Sequence, residues 1–390
     1  MNRSVLLLAC LGPLACSPRA VDAGVIEQVD TEAGSGGLAS EGDGGSVDAA
    51  DDGGTSSDGT AQDEPEWSLY LGEDLEAITM NRVGNGVVVA LEPSVNVDID
   101  TDTVVTQISR TGETVWSRSV PGARVLSVAP LPEGGFVLGG ASRADSLEER
   151  APMVWLLDDS GAVLREEVVG ETGRISHAMP VGGGLALLNY TFSAVANVAF
   201  TDMQLQVQWT EPVEFQGNGP GSVTHDDRAL FFGASNTTAN SVLTVEVGPT
   251  GLEMLSLAIA GDRMGLSGSG DDLSLQAWNF EDDFIALTRW SDGRTVEIPI
   301  EGLESTWSAS DRRGNFVLVR ATVGDDPGHL ELREVTEDGE VAVRLLDEHS
   351  PSRPRFVEIA DDSSIYIAAT EGDDRFMPQG VWLHRRWPSL

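Results

Sequence analysis

The stretch that decides the fold runs from Arg124 to Gly173 and reads RVLSVAPLPEGGFVLGGASRADSLEERAPMVWLLDDSGAVLREEVVGETG. Its short apolar runs are Val125–Val128, Phe136–Leu138, Met153–Leu157 and Ala162–Leu164. Between these runs the chain is rich in Gly, Asp and Ser, the residues that favour turns. Short apolar runs bounded by such turns predict antiparallel strands, so we expect this stretch to form one four-stranded unit.

The turn that precedes the second run of this unit recurs along the chain. Its copies are Asn85-Gly86, Gly134-Gly135, Gly183-Gly184, Asp227-Arg228, Asp271-Asp272, Gly314-Asn315 and Ser363-Ser364. Successive copies lie about 43 to 49 residues apart, the period of propeller blades. The turn before the fourth run follows the same period, at Gly112, Gly161, Gly251, Gly293 and Gly339. The third copy has Asp202-Met203 there instead of a glycine, so its boundary is less well defined.

The two ends of the repeat region complement each other. Trp67–Gly72 resembles the fourth run of the first complete copy, Val115–Val120, whereas the last copy stops after its third run, Val381–Leu383. The sequence therefore predicts an all-β fold, a β-propeller of seven four-stranded blades over residues 67–390. The N-terminal strand would complete the last blade and leave no long open edge. A β-sandwich and a β-solenoid are the alternatives.

The N-terminus carries an export signal. Asn2-Arg3 precedes an apolar stretch, Ser4–Ala15, that is too short to span a bilayer and has the length of a signal-peptide core. Pro13-Leu14-Ala15-Cys16 resembles the lipobox of bacterial lipoproteins, with Pro13 where that motif prefers Leu. The resemblance implies that residues 1–15 are a lipoprotein signal peptide and that Cys16 is the lipidated residue. Cys10 and an ordinary secretory cleavage near Ala20 are the alternatives.

Residues 16–66 read as a linker. They are rich in Gly, Ser, Ala and Asp, with almost no large apolar side chain, so they cannot bury enough surface to offset their chain entropy. A disordered tether of this length would hold the domain about 40 Å from a membrane. We therefore expect an exported lipoprotein at the outer membrane, cell surface or periplasm of a Gram-negative bacterium.

Composition limits the partners. Lys+Arg is 24 against Asp+Glu 63, a formal net charge of −39, and every basic residue is Arg. Such an acidic chain is unsuited to nucleic acid or to direct adhesion to anionic lipid. We expect contact with the membrane through the N-terminal lipid only, a monomeric domain, and a basic protein or a polysaccharide as partner. Both of the 2 Cys lie in the signal segment, so the domain has no disulfide and no cysteine metal site.

The sequence contains no catalytic constellation. The five histidines have no metal-ligand spacing, and no serine lies in a nucleophile elbow. Asp98, Asp100 and Asp102 have the spacing of a calcium loop, but Thr103 replaces its glycine and Ser109 its last acid. We therefore predict no catalytic, cofactor-binding or metal-binding residue, with weak calcium binding near Asp98–Asp102 as the alternative.

Tryptophans mark the repeat. Trp116, Trp155, Trp209 and Trp382 are expected at equivalent strand positions, where they would fill the space between neighbouring blades rather than stack on a sugar or a quinone. Gly134–Leu138 with Trp155–Leu164 looks like the repeat of bacterial exported β-propellers, including WD40-like ones. Thr111–Trp116 is similar to the repeat of pyrroloquinoline-quinone propellers. Those quinoproteins carry a vicinal disulfide at the cofactor, which this domain lacks, so the resemblance implies shape only.

One further motif resembles a known family. Ser291–Thr295 resembles the sialidase Asp-box, with Val296 where its closing aromatic residue would be. An Asp-box is a turn motif and carries no active-site residue.

These observations favour a binding or scaffolding role. Several long connections carry acids and should share one face of the propeller: Asp98, Asp100, Asp102, Glu148, Glu149, Asp325, Asp326, Asp373 and Asp374. The alternative is an extracytoplasmic hydrolase or lyase that uses carboxylates at the channel mouth. It would require two inward-facing acids about 5–10 Å apart, one with a raised pKa. A purely structural surface protein is a third possibility.

If Cys16 is the anchored residue, Cys16→Ser will abolish labelling of the full chain by a radioactive fatty acid in a host that processes lipoproteins. Cys10→Ser is the matched control and will label like the wild type. Equal labelling of the Cys16→Ser chain and the wild type would contradict this assignment.

Overall fold

The structure is a computed structural model. It describes residues 65–84, 86–93, 102–142, 149–191, 195–214, 221–225, 228–235, 241–258, 263–267, 274–279, 284–289, 293–299, 303–310, 316–322, 330–336, 341–346, 352–360, 362–371 and 380–389. The predicted signal peptide, Cys16 and nearly all of the predicted linker lie outside these residues. No helix among the described residues is long and apolar enough to cross a membrane.

The described residues form seven four-stranded sheets, which we call blades 1 to 7. Blade 1 contains β2 Leu75–Val83, β3 Gly86–Pro93, β4 Thr103–Ile108 and β5 Thr114–Val120. Blade 2 contains β6 Ala123–Pro130, β7 Phe136–Ser142, β8 Pro152–Leu157 and β9 Val163–Val168. Blade 3 contains β10 Arg174–Val181, β11 Gly184–Tyr190, β12 Val195–Asp202 and β13 Val207–Glu214.

The remaining blades follow the same order. Blade 4 contains β14 Gly221–His225, β15 Arg228–Ser235, β16 Ser241–Gly248 and β17 Gly251–Ala258. Blade 5 contains β18 Arg263–Ser267, β19 Ser274–Asn279, β20 Phe284–Arg289 and β21 Thr295–Pro299. Blade 6 contains β22 Leu303–Ser310, β23 Phe316–Thr322, β24 Leu330–Val335 and β25 Val341–Leu345. Blade 7 contains β26 Ser352–Ile359, β27 Ile365–Glu371, β28 Gly380–Arg386 and, from the N-terminus, β1 Trp67–Glu73.

The blades are arranged in a closed ring. Each first strand contacts the first strands of the two neighbouring blades, in the order β2, β6, β10, β14, β18, β22, β26 and back to β2. The first strands therefore line the axis. The predicted β-propeller is confirmed, as is the start of a second strand at or just after each of the seven recurring turns.

The N-terminal strand closes the ring. β1 pairs antiparallel with β28, with Leu69 opposite Leu383 and Trp67 opposite Arg385. Trp67, Leu69 and Leu71 are buried in a core shared with blade 1. The predicted completion of the last blade by the N-terminal strand is therefore confirmed.

The turn into the fourth strand is built alike in three successive blades. The backbone N–H of Gly161 donates to the Asp158 carbonyl oxygen at 3.0 Å, with Gly161 at φ 76°. In the third blade, Leu205 donates to Asp202 at 2.9 Å and takes the same left-handed conformation, at φ 61°. Asp202 supports this strained turn because its carboxylate accepts two backbone N–H bonds, as that of Asp158 does. The missing glycine of the third copy is thus compensated by the aspartate.

The tryptophans do not form one equivalent set, so that part of the prediction is wrong. Trp116 and Trp209 lie on fourth strands, as does Trp67, whereas Trp155 and Trp382 lie on third strands. A fourth-strand tryptophan covers the turn of the next blade. The Trp116 ring, for example, leaves no room for a side chain at Gly161, where a Cβ would lie 2.6 Å away. Third-strand Trp155 instead packs within the core between blades 1 and 2.

The predicted packing role of these tryptophans is confirmed for Trp116 and Trp155. Both are buried, and both belong to a cluster that joins side chains of blades 1 and 2. Cores of this kind lie between blades rather than within one sheet, because both faces of each sheet are covered by neighbouring sheets. Neighbouring blades therefore share their cores.

The closure predicts how two truncations will behave. Removal of residues 1–64 will leave the melting temperature nearly unchanged, because the predicted signal segment is not part of the ring and the linker after it has almost no large apolar side chain to bury. Removal through Gly72 deletes Trp67, Leu69 and Leu71, each worth roughly 1.5–3 kcal/mol of burial, so it will lower the free energy of unfolding by several kcal/mol. Thermal unfolding of both truncated chains checks this. Equal melting temperatures would contradict the closure.

Candidate binding site at the mouth end of the ring

One end of the ring gathers charged side chains near the axis. We call it the mouth end, marked by Pro93, Ser142 and Tyr190 at the ends of β3, β7 and β11. The long connections between second and third strands start here. Because the strands are antiparallel, the first strand of each blade also begins at this end, as Leu75 opposite Pro93 shows.

Three arginines from blades 2 and 3, Arg124, Arg150 and Arg174, lie at the mouth end, and we call them the arginine cluster. Arg124 is the second residue of β6, and Arg174 is the first residue of β10. Arg150 lies just before β8, on the connection that comes from β7. Burial lowers the pKa of both Arg150 and Arg174, and the positive charge of Arg124 lowers it further. The three guanidinium groups are therefore close enough to repel one another.

Arg124 is held by a carboxylate of the neighbouring blade. Its Nε donates to Glu92 Oε2 at 3.0 Å and its Nη2 to Glu92 Oε1 at 2.6 Å, a bidentate pair that ties blade 2 to blade 1. The Arg124 side chain is nevertheless 43% exposed. The pair therefore leaves one face of this guanidinium open to solvent.

Arg174 forms a cation–π contact with an aromatic ring. Its guanidinium carbon lies 5.7 Å from the centre of the Tyr190 ring, which is opposite it in the β10–β11 pair. Such a cation–π contact helps to orient the guanidinium. The residue before it, Gly173, is at φ 114°, and a Cβ there would lie 2.6 Å from Asn189 Oδ1. Glycine is required at this turn for both reasons.

Among the described residues, Glu358 near the other end of the axis is the carboxyl group with a strongly raised pKa. It lies on β26, and burial raises its pKa to about 7, an effect that the positive charge of Arg82 on β2 partly offsets. Arg82 also donates to the Ile359 carbonyl oxygen at 3.2 Å and so ties blade 1 to blade 7. No second carboxylate contributes to the shift among the described residues. A glycosidase-like mechanism requires two paired acids, and among the described residues no carboxylate is found to act on Glu358.

The histidines of the described strands serve the fold. Burial lowers the pKa of His177 on β10 to about 4, with Arg174 adding to the shift, so the ring is neutral at pH 7. His384 Nδ1 shares a hydrogen bond of 2.9 Å with Ser68 Oγ across the β28–β1 pair. His225 ends β14, and His329 and His349 lie outside the described residues.

The predicted acidic connections are described only in part. They join β3 to β4, β7 to β8, β23 to β24 and β27 to β28, and therefore all start from the mouth end. Asp102 holds the turn into blade 2, since its carboxylate accepts from Ser119 Oγ at 3.1 Å and from Gly122 N at 3.4 Å. Glu149 is exposed. The other acids lie outside the described residues: Asp98, Asp100, Glu148, Asp325, Asp326, Asp373 and Asp374.

The described residues contain no group of three or more His, Cys, Asp or Glu placed to hold a metal ion. The possible calcium loop at Asp98–Asp102 falls outside this statement except for Asp102. Sequence reasoning missed the arginine cluster. The available signal was that Arg124 and Arg174 begin the first strands of consecutive copies.

Comparisons with known proteins bear on the fold alone. No protein-family model matches the sequence, and the search of curated proteins found no match. Among solved structures, the β-propeller domain of the Trilobed protease from Pyrococcus furiosus is similar, with a TM-score of 0.50 and 8% identity over 80% of this chain and 95% of that chain. That domain has an open velcro topology, whereas β1 here completes blade 7.

Two structures of a peptidase are also similar. The uncomplexed acylaminoacyl peptidase of Pyrococcus horikoshii has a TM-score of 0.52 and 12% identity over 80% of this chain. Its orthorhombic crystal form has a TM-score of 0.51 and 13% identity. In both, the alignment covers 52% of the peptidase, so this chain spans about half of its length. At these identities the likeness shows the propeller fold.

The raised pKa of Glu358 predicts a pH-dependent effect of Glu358→Gln. The folded carboxyl ionises near pH 7 but the unfolded one near 4.5, so the wild type loses stability as the pH rises through this window. Glutamine does not ionise, so the variant will gain stability relative to the wild type between pH 5 and pH 8, on the order of 2 kcal/mol. Urea unfolding at both pH values measures this.

The matched control for this prediction is Glu297→Gln, because Glu297 is an exposed acid on the outer strand β21. The stability of this variant relative to the wild type, measured at the same two pH values, gives the effect of removing one exposed acid. A Glu358→Gln variant whose advantage is the same at pH 5 and pH 8 would show that Glu358 is ionised throughout.

Proposed function

We propose that this protein is a cell-envelope lipoprotein whose propeller binds a partner at the mouth end. A lipid on Cys16 and the linker of residues 16–66 would hold the ring close to the membrane surface. The ring itself would act as a rigid platform, since a closed propeller keeps its loops in fixed relative positions.

One observation carries the binding role. The mouth end combines the long, acid-bearing connections with charged side chains near the axis, while no catalytic constellation lies among the described residues. Binding residues gather on loops over a rigid scaffold, and here the scaffold strands on both sides of each connection are described.

The partner we propose is a basic protein of the envelope. The formal net charge of −39 would attract a cationic surface over about a Debye length, roughly 8 Å at physiological ionic strength. Complementary charge speeds association and favours partners of opposite sign. Such a contact should weaken as salt is added.

A hydrolase or lyase is the second candidate, supported by the raised pKa of Glu358. A carboxyl that stays protonated near pH 7 suits a general acid. Its partner acid is not found among the described residues, so the binding role is better supported. The peptidase likeness adds nothing to this candidate, because it covers only the propeller shape.

The partner can be tested by pull-down from native envelope extract at low and high salt. A variant with Asn at Asp98, Asp100, Asp102, Asp373 and Asp374 will retain the partner poorly, because it lacks most of the attraction at the mouth end. The matched control changes as many exposed acids elsewhere to Gln: Glu113, Glu133, Glu166, Glu253 and Glu297. It will retain the partner like the wild type.

Salt decides the interpretation of this pull-down. The retained amount of the partner will fall as salt rises for the wild type and the control. A partner that both variants retain equally, or one that salt does not displace, would contradict an electrostatic contact at the mouth end.

A further inference from the structure

We propose that residues 21–29, which lie in the predicted linker, add a fifth strand to blade 6 at the outer edge of β25. We call these residues the 21–29 segment. The chain would thereby cover an apolar edge of its own ring. This proposal goes beyond the basic partner proposed above and does not depend on it.

The outer strand of blade 6, β25, presents an apolar edge. In the described part of the chain it is the last strand of its sheet, so one row of its backbone N–H and C=O groups faces no further strand. Its exposed side chains are Val341, Val343 and Leu345, at 46%, 54% and 61% exposure. Because side chains alternate along a strand, these three lie on one face. An exposed apolar strand edge is a template for pairing with another strand.

The outer strands of the other six blades differ from β25, because each carries an exposed charged side chain. These residues are Glu73, Arg118, Glu166, Glu211, Glu253 and Glu297. A charge on an edge strand is a common protection against unwanted pairing. The charged residue of β25, Arg344, lies on the opposite face from Val343 and donates to the Trp387 carbonyl oxygen at 2.8 Å. Blade 6 is therefore the exception, which indicates that another strand covers its outer edge.

The N-terminal part of the chain joins the ring beside this strand. Arg344 Nη1 donates to Glu66 Oε1 at 2.7 Å, and the N–H of Trp387 donates to the same oxygen at 2.9 Å. The point from which residues 1–64 extend is therefore held against β25. A strand tethered this closely has an effective concentration on the order of millimolar. This favours the chain's own N-terminal part over a second copy or another protein as the occupant of the edge.

The 21–29 segment has the sequence pattern of a strand with one apolar face. It reads VDAGVIEQV and contains four of the six Val, Ile and Leu residues of the predicted linker. Most of the positions between its apolar residues are polar or glycine, although Ile26 and Glu27 break the alternation. β-Branched residues are enriched in strands. The residues that would share the apolar face are Val21, Ala23, Val25 and Val29.

The chain between this segment and the ring is long enough for the contact. Residues 30–64 amount to 35 residues rich in Gly, Ser and Asp, and such a chain spans roughly 30–35 Å on average. The five residues of β25 extend over about 17 Å. The 21–29 segment can therefore reach the whole of β25. An extended segment that adds to an exposed sheet edge in this way gains affinity from its main-chain hydrogen bonds.

The added strand would change how an anchored ring lies at the membrane. Residues 17–20 are all that separates Cys16 from the 21–29 segment. If Cys16 carries the lipid, blade 6 would be held close to the membrane surface, whereas a free tether would allow a distance of about 40 Å. This consequence rests on the proposed lipid anchor, but the added strand does not.

The test is hydrogen exchange of backbone amides, followed by mass spectrometry of the purified full chain. The first variant, Val25→Asp with Ile26→Asp, places two charges in the 21–29 segment. Its matched control, Leu38→Asp with Val47→Asp, makes the same change elsewhere in the linker. The second variant, Val343→Lys, places a charge on β25.

The matched control for the second variant is Val163→Lys on β9, because Val163 and Val343 have nearly the same exposure, at 51% and 54%. Both valines are largely exposed on outer strands, so neither substitution disturbs a core between blades. The melting temperature is a poor readout here, because the 21–29 segment has few side chains to bury.

We expect amides of β25 and of the 21–29 segment to exchange roughly tenfold more slowly in the wild type than in Val25→Asp with Ile26→Asp, because pairing protects them. The Leu38→Asp with Val47→Asp chain will exchange like the wild type. Val343→Lys will speed exchange within the 21–29 segment to a similar extent, and Val163→Lys will not.

Three results would overturn the proposal. The first is exchange of the 21–29 segment in the wild type at the rate of an unstructured peptide. The second is an equal effect of the two paired aspartate substitutions on β25. The third is protection of β25 that rises with chain concentration, together with a doubled mass in light scattering, since a second copy would then cover the edge. These measurements use purified chain, so they are distinct from the pull-down that tests the basic partner.

Discussion

The β1–β28 pair is the contact on which the ring depends, because it joins residues from the two ends of the described chain. Side chains reinforce the backbone ladder there. Arg386 donates to the Trp67 carbonyl oxygen at 2.7 Å and to Ser68 Oγ at 2.9 Å. Glu66, just before β1, accepts from Arg344 of blade 6 at 2.7 Å. The N-terminal strand is thus fastened to two blades. Were it released, blade 7 would present an open edge and the cores on both sides of that blade would lose packing.

Closure of the ring also positions the mouth end, because it fixes each first strand against its neighbours. Hydrogen bonds between blades add to the packing. Asn81 Nδ2 donates to the Val128 carbonyl oxygen at 3.3 Å, and Ala178 N donates to Ser127 Oγ at 2.9 Å. Arg124 and Arg174 project from strands that are held in this way. The cores between blades stabilise the scaffold that holds these side chains at the mouth end.

The sequence was informative about the fold because the determinants of the fold are local and repeated. The turn before each second strand recurs with one period, and the unpaired strand at Trp67 matches the missing strand after Val381. Leu205 shows the limit of this approach, since a left-handed leucine cannot be expected from composition. It is tolerated here because Asp202 secures the turn. The prediction of equivalent tryptophan positions was wrong for a related reason. Tryptophan occurs both on third strands and on fourth strands, and both positions recur once per blade.

The candidate site was much harder to predict because it is not local. Glu92, Arg124, Arg150 and Arg174 come from three blades, and the repeat pattern of the sequence relates only Arg124 and Arg174 to each other. The positions of these side chains in space depend on the rotation from one blade to the next. The pattern of strands in the sequence gives no information about that rotation. The raised pKa of Glu358 is likewise a property of the ring, since the surrounding first strands remove water from the carboxyl group.

Hydrogen exchange of backbone amides measures the closure most directly. The account predicts that amides of Leu69 and Leu383, buried in the β1–β28 pair, exchange as slowly as those of Leu187 in blade 3, because the closed ring opens as a unit. Fast exchange at Leu69 and Leu383 beside slow exchange at Leu187 would contradict it. Such a result would mean that the N-terminal strand leaves the seventh blade while the rest of the ring stays folded.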